Sequence, residues 1–210
     1  MLEIIKILRK EYKEKPVVSG NYRDKPFFVL ISCILSLRTK DNVTRLASER
    51  LFKKVKNCKD VLNLNIKEIE RLIYPVGFYK TKAKRIKEIC KTLLENYNSK
   101  VPSNFDELLK LKGVGRKTAN IVMTYGHFKK GYLPIDTHCH RIPNRLGWVK
   151  TKTPEQTEEE LKKILPREYW YDFNELFVQF GQHICLPISP FCSKCPVRKY
   201  CKRVNVIKSR

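Results

Sequence analysis

The chain has 210 residues, with 44 Lys or Arg against 21 Asp or Glu, so its formal net charge at pH 7 is +23. So many positive charges repel one another in a compact fold, and such an excess is typical of a protein that binds a polyanion. Nucleic acid is the polyanion that fits best. The longest apolar stretch, 27–37, is interrupted by Ser32 and Ser36 and is too short to span a bilayer. The N-terminal segment has no signal-peptide core, and we expect a soluble cytoplasmic protein without a membrane partner.

Nearly every periodic segment repeats its apolar residues at helical spacing, and none alternates as a strand does. The first strong start signal is Asp24-Lys25-Pro26, a capping side chain followed by proline in the first turn. The next is an amphipathic helix after Tyr79, whose apolar face contains Ile86, Ile89, Cys90, Leu93, Leu94 and Tyr97. The pattern predicts an all-α fold of about ten helices joined by short loops.

A short helix from Asn104 ends at Gly113, and Gly113-Val114-Gly115 leads into a second apolar helix. Two glycines around one apolar residue permit a tight turn with positive φ and expose backbone N–H groups that bind phosphate at a helix start. An ordinary tight turn between helices explains the same pattern. A DNA contact is favoured by the basic flank, which contains Lys110, Lys112, Arg116 and Lys117.

Lys117 lies in the first turn of that second helix, beside Arg116. The positive end of the helix dipole disfavours the ammonium form, which makes the amine available as a nucleophile. A phosphate-binding lysine is the alternative, and spacing alone does not separate the two.

Asp136 precedes a helix that begins at Thr137, and capping of that helix is a sufficient explanation for it. In a chain this basic, the Asp136 carboxylate could also serve as the electrostatic partner of a lysine nucleophile. His138 and His140 lie on different faces of the helix, so we interpret them as packing or hydrogen-bonding residues. Further along the chain, 153–156 has the sequence of a capping box with proline at the first helical position.

The eight cysteines fall into two groups. We expect the scattered four, Cys33, Cys58, Cys90 and Cys139, to be small buried hydrophobic residues. The other four crowd into a proline-bearing loop with the spacing Cys-x6-Cys-x2-Cys-x5-Cys, and they are Cys185, Cys192, Cys195 and Cys201. Four thiolates suit a [4Fe–4S] cluster or a tetrahedral zinc, and the single Cys-x2-Cys pair with uneven flanking spacing favours the cluster.

Three of these segments, in this order, resemble the endonuclease III family: LKGVGRKTANIV, PIDTHCHRIPNRLGW and the four-cysteine loop. ILSLRTKDNVT and YPVGFYKTKAKRIKEIC also fall where that family has its DNA-facing loops. The resemblance implies a helix-hairpin-helix DNA glycosylase fold with a six-helix barrel over 20–129. A second domain, built from 1–19 and 130–210, would hold the [4Fe–4S] loop, with Lys117 and Asp136 facing each other across the cleft between the domains.

The resemblance also implies a base excision repair enzyme of the bifunctional kind. It would remove oxidised pyrimidines as a DNA N-glycosylase and cleave 3′ to abasic sites as a lyase, by β-elimination through a Schiff base of Lys117. Asp136 would support positive charge on the sugar, and the four clustered cysteines would ligate the [4Fe–4S] cluster. We expect DNA contacts from Arg38, Phe78, Gly113, Gly115 and Arg116, with Phe78 as a wedge in the base stack or else a core aromatic.

The implied partner is double-stranded DNA with damaged pyrimidines or abasic sites, bound by a monomer at the nucleoid of a prokaryotic cytoplasm. Two positions depart from the family: Lys112 replaces a usual proline, and Arg38 replaces a common glutamine. Arginine there resembles a related branch that removes thymine or uracil opposite guanine, although that branch usually lacks the lysine nucleophile. A non-catalytic helix-hairpin-helix DNA-binding module with a structural zinc is the remaining alternative.

Overall fold

The computed structural model describes residues 1–12 and 22–210, and these form helices joined by loops, with no strand in the described residues. The all-α prediction is therefore confirmed. The chain divides into two compact units, Met1–Pro16 with Lys130–Arg210, and Val17–Lys129. The predicted boundary between residues 19 and 20 lies within 13–21 and so outside the described residues. In the described ranges, no helix is long and apolar enough to cross a membrane.

The unit that contains 22–129 is built around its most apolar helix, α2. In chain order its elements are α2 (Pro26–Ser36), α3 (Asp41–Lys54), α4 (Cys58–Asn63), α5 (Ile66–Ile73), α6 (Tyr79–Asn96), α7 (Phe105–Lys110), α8 (Arg116–Ile121) and a π-helical turn (Val122–Gly126). Helix α2 buries Val29, Leu30, Ile31, Ile34 and Leu35. It packs against α3, α6, α8 and the π-helical turn, so the burial of its apolar side chains holds this unit together.

The starts and faces of these helices follow the sequence with two exceptions. Asn57, Asn65 and Asn104 cap α4, α5 and α7 through their side chains, which satisfies backbone N–H groups in each first turn. The predicted cap at Asp24 is wrong, because Asp24 takes a left-handed conformation (φ +60°) and donates its N–H to Tyr125 O. Leu94, predicted on the apolar face of α6, is 39% exposed.

The unit that contains 1–12 and 130–210 joins the first helix to the last ones. Its elements are α1 (Leu2–Glu11), α9 (Thr137–Leu146), α10 (Pro154–Ile164) and α11 (Trp170–His183), with 3-10 turns at Arg167–Tyr169, Cys192–Lys194 and Arg198–Tyr200. Ile4, Ile5 and Leu8 of α1 belong to one apolar core with Phe173 and Phe177 of α11. An ion pair between Arg9 and Asp172 also joins α1 to α11 at its rim.

Only one of the two hydrogen bonds of the predicted capping box is present at the start of α10. The Thr153 side chain accepts a hydrogen bond from Gln156 N (3.3 Å). The Gln156 side chain accepts from Lys152 N (2.9 Å), one residue earlier than the reciprocal bond of a capping box. Thr153 therefore satisfies one orphan N–H group of the first turn, and Gln156 satisfies the N–H of Lys152 in the preceding loop.

Candidate active site and cysteine cavity

The glycine hairpin between α7 and α8 is a tight turn in which the two glycines have different roles. Val114 N donates to Leu111 O (3.0 Å), and Gly113 has φ +80°. A Cβ at Gly113 would meet the guanidinium of Arg85, the end of a flexible side chain that can move away, so it is the positive φ that requires glycine there. Gly115 is extended (φ −97°), which corrects the expectation of positive φ, and nothing lies within 4 Å of a Cβ placed on it. The protein's own packing leaves room for a side chain at Gly115.

Lys117 is the second residue of α8 and its side chain is exposed. The neighbouring Arg116 lies against α7, with its guanidinium 5.4 Å from the centre of the Phe105 ring. On the inner side of the hairpin, burial raises the pKa of the Cys33 thiol in α2 to about 12, and the positive charge of Lys117 opposes that rise. The amine of Lys117 is therefore close enough to α2 for its charge to act on Cys33.

Asp136 is the N-cap of α9, as predicted. Its Oδ1 accepts hydrogen bonds from His138 N (2.9 Å) and Cys139 N (2.8 Å), and these two bonds fix the direction of the carboxylate. The nearby histidines are hydrogen-bonded, as expected: His138 Nδ1 contacts Arg141 Nη2 at 3.0 Å and His140 Nδ1 contacts Thr157 Oγ1 at 2.6 Å.

Arg38 and Phe78 lie together at the surface of the other unit. Arg38 follows α2 with φ +51°, and Phe78 precedes α6 with φ +58°. The Arg38 guanidinium lies 5.9 Å from the centre of the Phe78 ring, and Phe78 is 63% exposed, so its interpretation as a core aromatic is wrong. Both residues line an open cavity of about 370 Å³ together with Gly113. Three predicted DNA-contact residues therefore share one surface.

Sequence reasoning missed a residue in that cavity, Lys82. Its side chain is only 6% exposed, and its Nζ donates to Leu35 O (2.8 Å) and to Thr39 Oγ1 (3.1 Å). The signal was present in the spacing, because position 82 is in helical register with the buried Ile86 and Ile89. A lysine in the apolar register of an amphipathic helix indicates a buried amine that needs acceptors.

The four clustered cysteines line one cavity that follows the C-terminal end of α11. They are half-buried free thiols, and Arg145 Nη1 donates to Cys185 Sγ at 3.4 Å. Burial, together with the charges of the neighbouring cysteines, raises the pKa of Cys195 to about 11. The remaining lining is made of apolar residues and arginines: Ile142, Arg145, Leu146, Phe180, Ile184, Pro190, Phe191, Val197, Arg198, Arg203 and Val206.

The chemistry of this cavity fits a centre with four thiolate ligands. No described Asp, Glu or His lines it, and its arginines suit the negative charge of a thiolate-ligated group. Within the described ranges, no three or more His, Cys, Asp or Glu side chains are already gathered to hold a single metal ion. Among the described residues that line this cavity, those that could ligate a cofactor are therefore the four cysteines.

Comparison with known proteins gives consistent similarities. The family described as "HhH-GPD superfamily base excision DNA repair protein" matches residues 31–167. Endonuclease III of Thermotoga maritima is 46% identical over 200 residues, which cover 95% of this chain and 89% of that protein.

Two solved structures are similar over nearly their whole length. One, described as "Structure of a non-covalent Endonuclease III-DNA Complex", gives a TM-score of 0.86 at 32% identity and covers 96% of this chain and 94% of that one. The other, a thermostable thymine-DNA glycosylase, gives a TM-score of 0.83 at 26% identity and covers 95% of this chain and 92% of that one.

Proposed function

Since the chain belongs to the endonuclease III family, within the HhH-GPD superfamily of base excision DNA repair proteins, we propose that it removes oxidised pyrimidines from duplex DNA and cleaves the strand 3′ to the abasic site. It is a base excision repair DNA glycosylase, and its partner is DNA. The observation that carries the proposal is an exposed lysine amine, Lys117, on the turn after a glycine hairpin in a chain so close to endonuclease III.

The chemistry begins with access to the sugar. A nucleotide inside a duplex hides its C1′, so the damaged nucleotide must first leave the base stack. The neutral amine of Lys117 then attacks C1′, and the bond to the base breaks with its electron pair leaving on the base, which takes up a proton. Opening of the sugar ring gives an imine between Lys117 and C1′. Removal of a proton from C2′ expels the 3′ phosphate, and water releases the amine.

Asp136 is proposed as the electrostatic partner of this reaction. Positive charge develops on the sugar as the base departs, and a carboxylate held in a fixed direction stabilises such charge without reorganising. The two backbone N–H bonds to Asp136 Oδ1 support this role, because they orient the group before substrate arrives. The same carboxylate is suited to accept the proton that the attacking amine loses.

The four cysteines of the cavity are proposed as ligands of a [4Fe–4S] cluster. When bound, that cluster supplies a rigid cross-link for the loop and takes no part in the cleavage chemistry. Helix α9 supports the loop with two arginines. Arg141 donates to Cys185 O (2.6 Å), and Arg145 donates to Leu186 O (2.6 Å) and Pro187 O (2.7 Å). Asp136 lies at the other end of the same helix.

Borohydride trapping on abasic duplex DNA tests the nucleophile. We expect wild-type protein to be trapped covalently, because borohydride reduces an imine to a stable amine link. Lys117→Ala should lose trapping and strand cleavage while it still binds DNA, since the hairpin backbone is unchanged. The matched control is Lys112→Ala, which removes another exposed lysine of the hairpin, one paired with Glu88 (3.2 Å), and should trap normally. Normal trapping by Lys117→Ala would mean that another amine is the nucleophile.

Arg38 favours a second candidate activity, the removal of thymine or uracil opposite guanine. The exposed guanidinium next to Phe78 presents paired donors that match O6 and N7 of guanine. The likeness to a thymine-DNA glycosylase supports the same candidate. Excision assays on thymine and uracil opposite guanine, compared with oxidised pyrimidines, separate the two activities. Arg38→Gln should change the preference for the opposite base and leave lyase activity at abasic sites in place.

We propose a monomer, because one chain carries the hairpin, both candidate catalytic residues and the four cysteines. We also propose that it acts on nucleoid DNA in a prokaryotic cytoplasm. A non-catalytic DNA-binding module with zinc predicts neither trapping nor iron. Covalent trapping and bound iron would therefore exclude this module, whereas their absence together with bound zinc would support it.

A further inference from the structure

The end of helix α2 is held by a side chain from α6. The last carbonyls of a helix have no partner within the helix, and α2 ends at Ser36. The Nζ of Lys82 donates to Leu35 O (2.8 Å), to Leu37 O and to Thr39 Oγ1 (3.1 Å). An ammonium has three N–H donors, so all of them are used here. Positive charge at this end of α2 is also favoured by the helix dipole.

The same group of bonds joins two surface turns. Thr39 Oγ1, which accepts from Lys82, also accepts from Gly77 N (3.2 Å). The two turns touch directly, because a Cβ on Gly77 would come within 2.7 Å of Arg38 O. One turn carries Arg38 and the other carries Phe78.

Both exposed residues have unfavourable backbone conformations. Arg38 and Phe78 have positive φ, a region that non-glycine residues seldom occupy and that persists only where the surroundings impose it. The bonds from Lys82 and Gly77 hold the carbonyl of Leu37 and the side chain of Thr39, the two residues on either side of Arg38. Transfer of a lysine side chain from water into the protein interior costs free energy. This burial lowers the pKa of Lys82 to about 8.

We propose, building on the function proposed above, that Lys82 is a positioning residue for recognition of the damaged duplex: it holds the Arg38 turn against the Phe78 turn so that guanidinium and ring enter the DNA together. Lys82 itself touches no DNA. It acts through the carbonyls of Leu35 and Leu37 and through the side-chain hydroxyl of Thr39.

The chain provides a matched control on the same helix. Lys87, also in α6, donates through its Nζ to Leu62 O (3.2 Å) and Leu64 O (2.6 Å), and so fixes the loop after α4 in the same manner. Lys87 does not line the described cavity of Arg38 and Phe78. Loss of either amine removes bonds of the same kind, whereas only loss of Lys82 affects the two recognition turns.

The experiment compares Lys82→Met with Lys87→Met in the full-length protein. The probe is a duplex with an uncleavable abasic analogue opposite 2-aminopurine, whose fluorescence reports whether the opposite base is stacked. For Lys82→Met we expect about tenfold weaker binding, from the loss of charge-assisted hydrogen bonds, and at saturation a 2-aminopurine signal shifted toward that of free duplex. Lys87→Met should match wild type in both measurements.

Thr39→Val is a second variant, which removes the shared acceptor and keeps the lysine. It should shift the fluorescence in the same direction by a smaller amount, and it decides the matter if Lys82→Met fails to fold. Wild-type affinity and fluorescence in Lys82→Met or Thr39→Val, or equal losses in Lys82→Met and Lys87→Met, would overturn the role of Lys82. The analogue is not cleaved, so the binding comparison does not depend on lyase activity. If the wild-type protein has no lyase activity, the proposed chemistry is refuted, and the comparison of Lys82→Met with Lys87→Met remains valid.

Discussion

At the scale of single residues, the buried amine of Lys82 links stability to pH. Burial lowers its pKa to about 8 in the folded protein, against an ordinary value of 10.5 in the unfolded chain. Between these pH values the unfolded chain binds a proton that the folded chain does not, so the free energy of unfolding rises with pH through this group. Below pH 8 both forms are protonated, and the full cost of burying the charge is present.

We therefore predict that the free energy of unfolding of wild type, minus that of Lys82→Met, increases between pH 8 and pH 10.5. The increase should reach at most about 3 kcal/mol, given 1.4 kcal/mol per pKa unit. Urea denaturation of both proteins across this range measures it, and subtraction removes the groups that they share. A difference that stays constant with pH would show that Lys82 titrates normally in the folded protein.

Asp136 combines a structural and a chemical role, and two substitutions separate them. Asn caps a helix as well as Asp does, so Asp136→Asn should keep the stability of wild type and its DNA binding. Its rate of base removal should fall by about 10²-fold or more, because the neutral amide cannot stabilise positive charge on the sugar. Asp136→Ala should react as slowly and also lose about 1 kcal/mol with the cap. Single-turnover kinetics and thermal unfolding measure the two effects; normal kinetics in Asp136→Asn would argue against its catalytic role.

Single residues differ in how far sequence predicts them. Asp136 was recognisable as a cap because its bonds go to N–H groups only two and three residues away. Lys82 was not recognised, because its acceptors are more than 40 residues distant. The positive φ of Arg38 and Phe78 was equally hidden, since neither residue type signals a left-handed turn.

At the scale of elements, the same substitution at the two glycines of the hairpin between α7 and α8 should have different effects on stability. Gly113→Thr forces a β-branched residue into φ +80° and should cost about 1–3 kcal/mol. Gly115→Thr places a favoured N-cap residue in open space and should leave stability nearly unchanged. It should nevertheless weaken binding to damaged and undamaged duplexes alike, because a side chain there keeps phosphate from the first N–H groups of α8.

Thermal unfolding and binding isotherms on both kinds of duplex test this pair. Wild-type affinity in Gly115→Thr would mean that the start of α8 does not approach the DNA backbone.

Helix boundaries were predictable where capping is local, and less so where a distant element intervenes. Asp136 and Thr153 cap the helices for which they were predicted. Asp24 does not: Lys25 occupies the N-cap position, and the left-handed backbone of Asp24 donates its N–H to Tyr125 O, about a hundred residues away in sequence. Propensity and patterning contain no information about such a partner.

At the scale of the whole molecule, metal content distinguishes the proposed enzyme from a zinc-binding module. Protein purified without oxygen damage should be brown and contain about four irons and four sulfides per chain, as a thiolate-ligated cubane requires. Cys195→Ala should loosen the loop after α11 and weaken DNA binding, while the helices of 22–129 keep their circular dichroism signal. The matched control is Cys90→Ala, a buried thiol of α6 outside the loop, which should keep its iron. Colourless protein with one tightly bound zinc would contradict the cluster.

The all-α architecture was predictable because helical spacing runs through the sequence without strand alternation, and the described residues are helical with loops. Which helices meet was not predictable from pattern. Arg9 and Asp172 are 163 residues apart, and nothing in either segment indicates the other.

That separation has a consequence for synthesis of the chain on the ribosome. Helix α1 is synthesised well before α11, yet the apolar core that receives Ile4, Ile5 and Leu8 is completed by α11. At roughly 5–20 residues per second, the sequence separation of 163 between Arg9 and Asp172 corresponds to on the order of ten to thirty seconds of translation. During that interval the helices of 22–129 can fold as each is completed, whereas α1 has no core to enter. The nascent chain therefore exposes the apolar face of α1, which contains Ile4, Ile5 and Leu8, until α11 has been made, and a chaperone can bind this face during that interval.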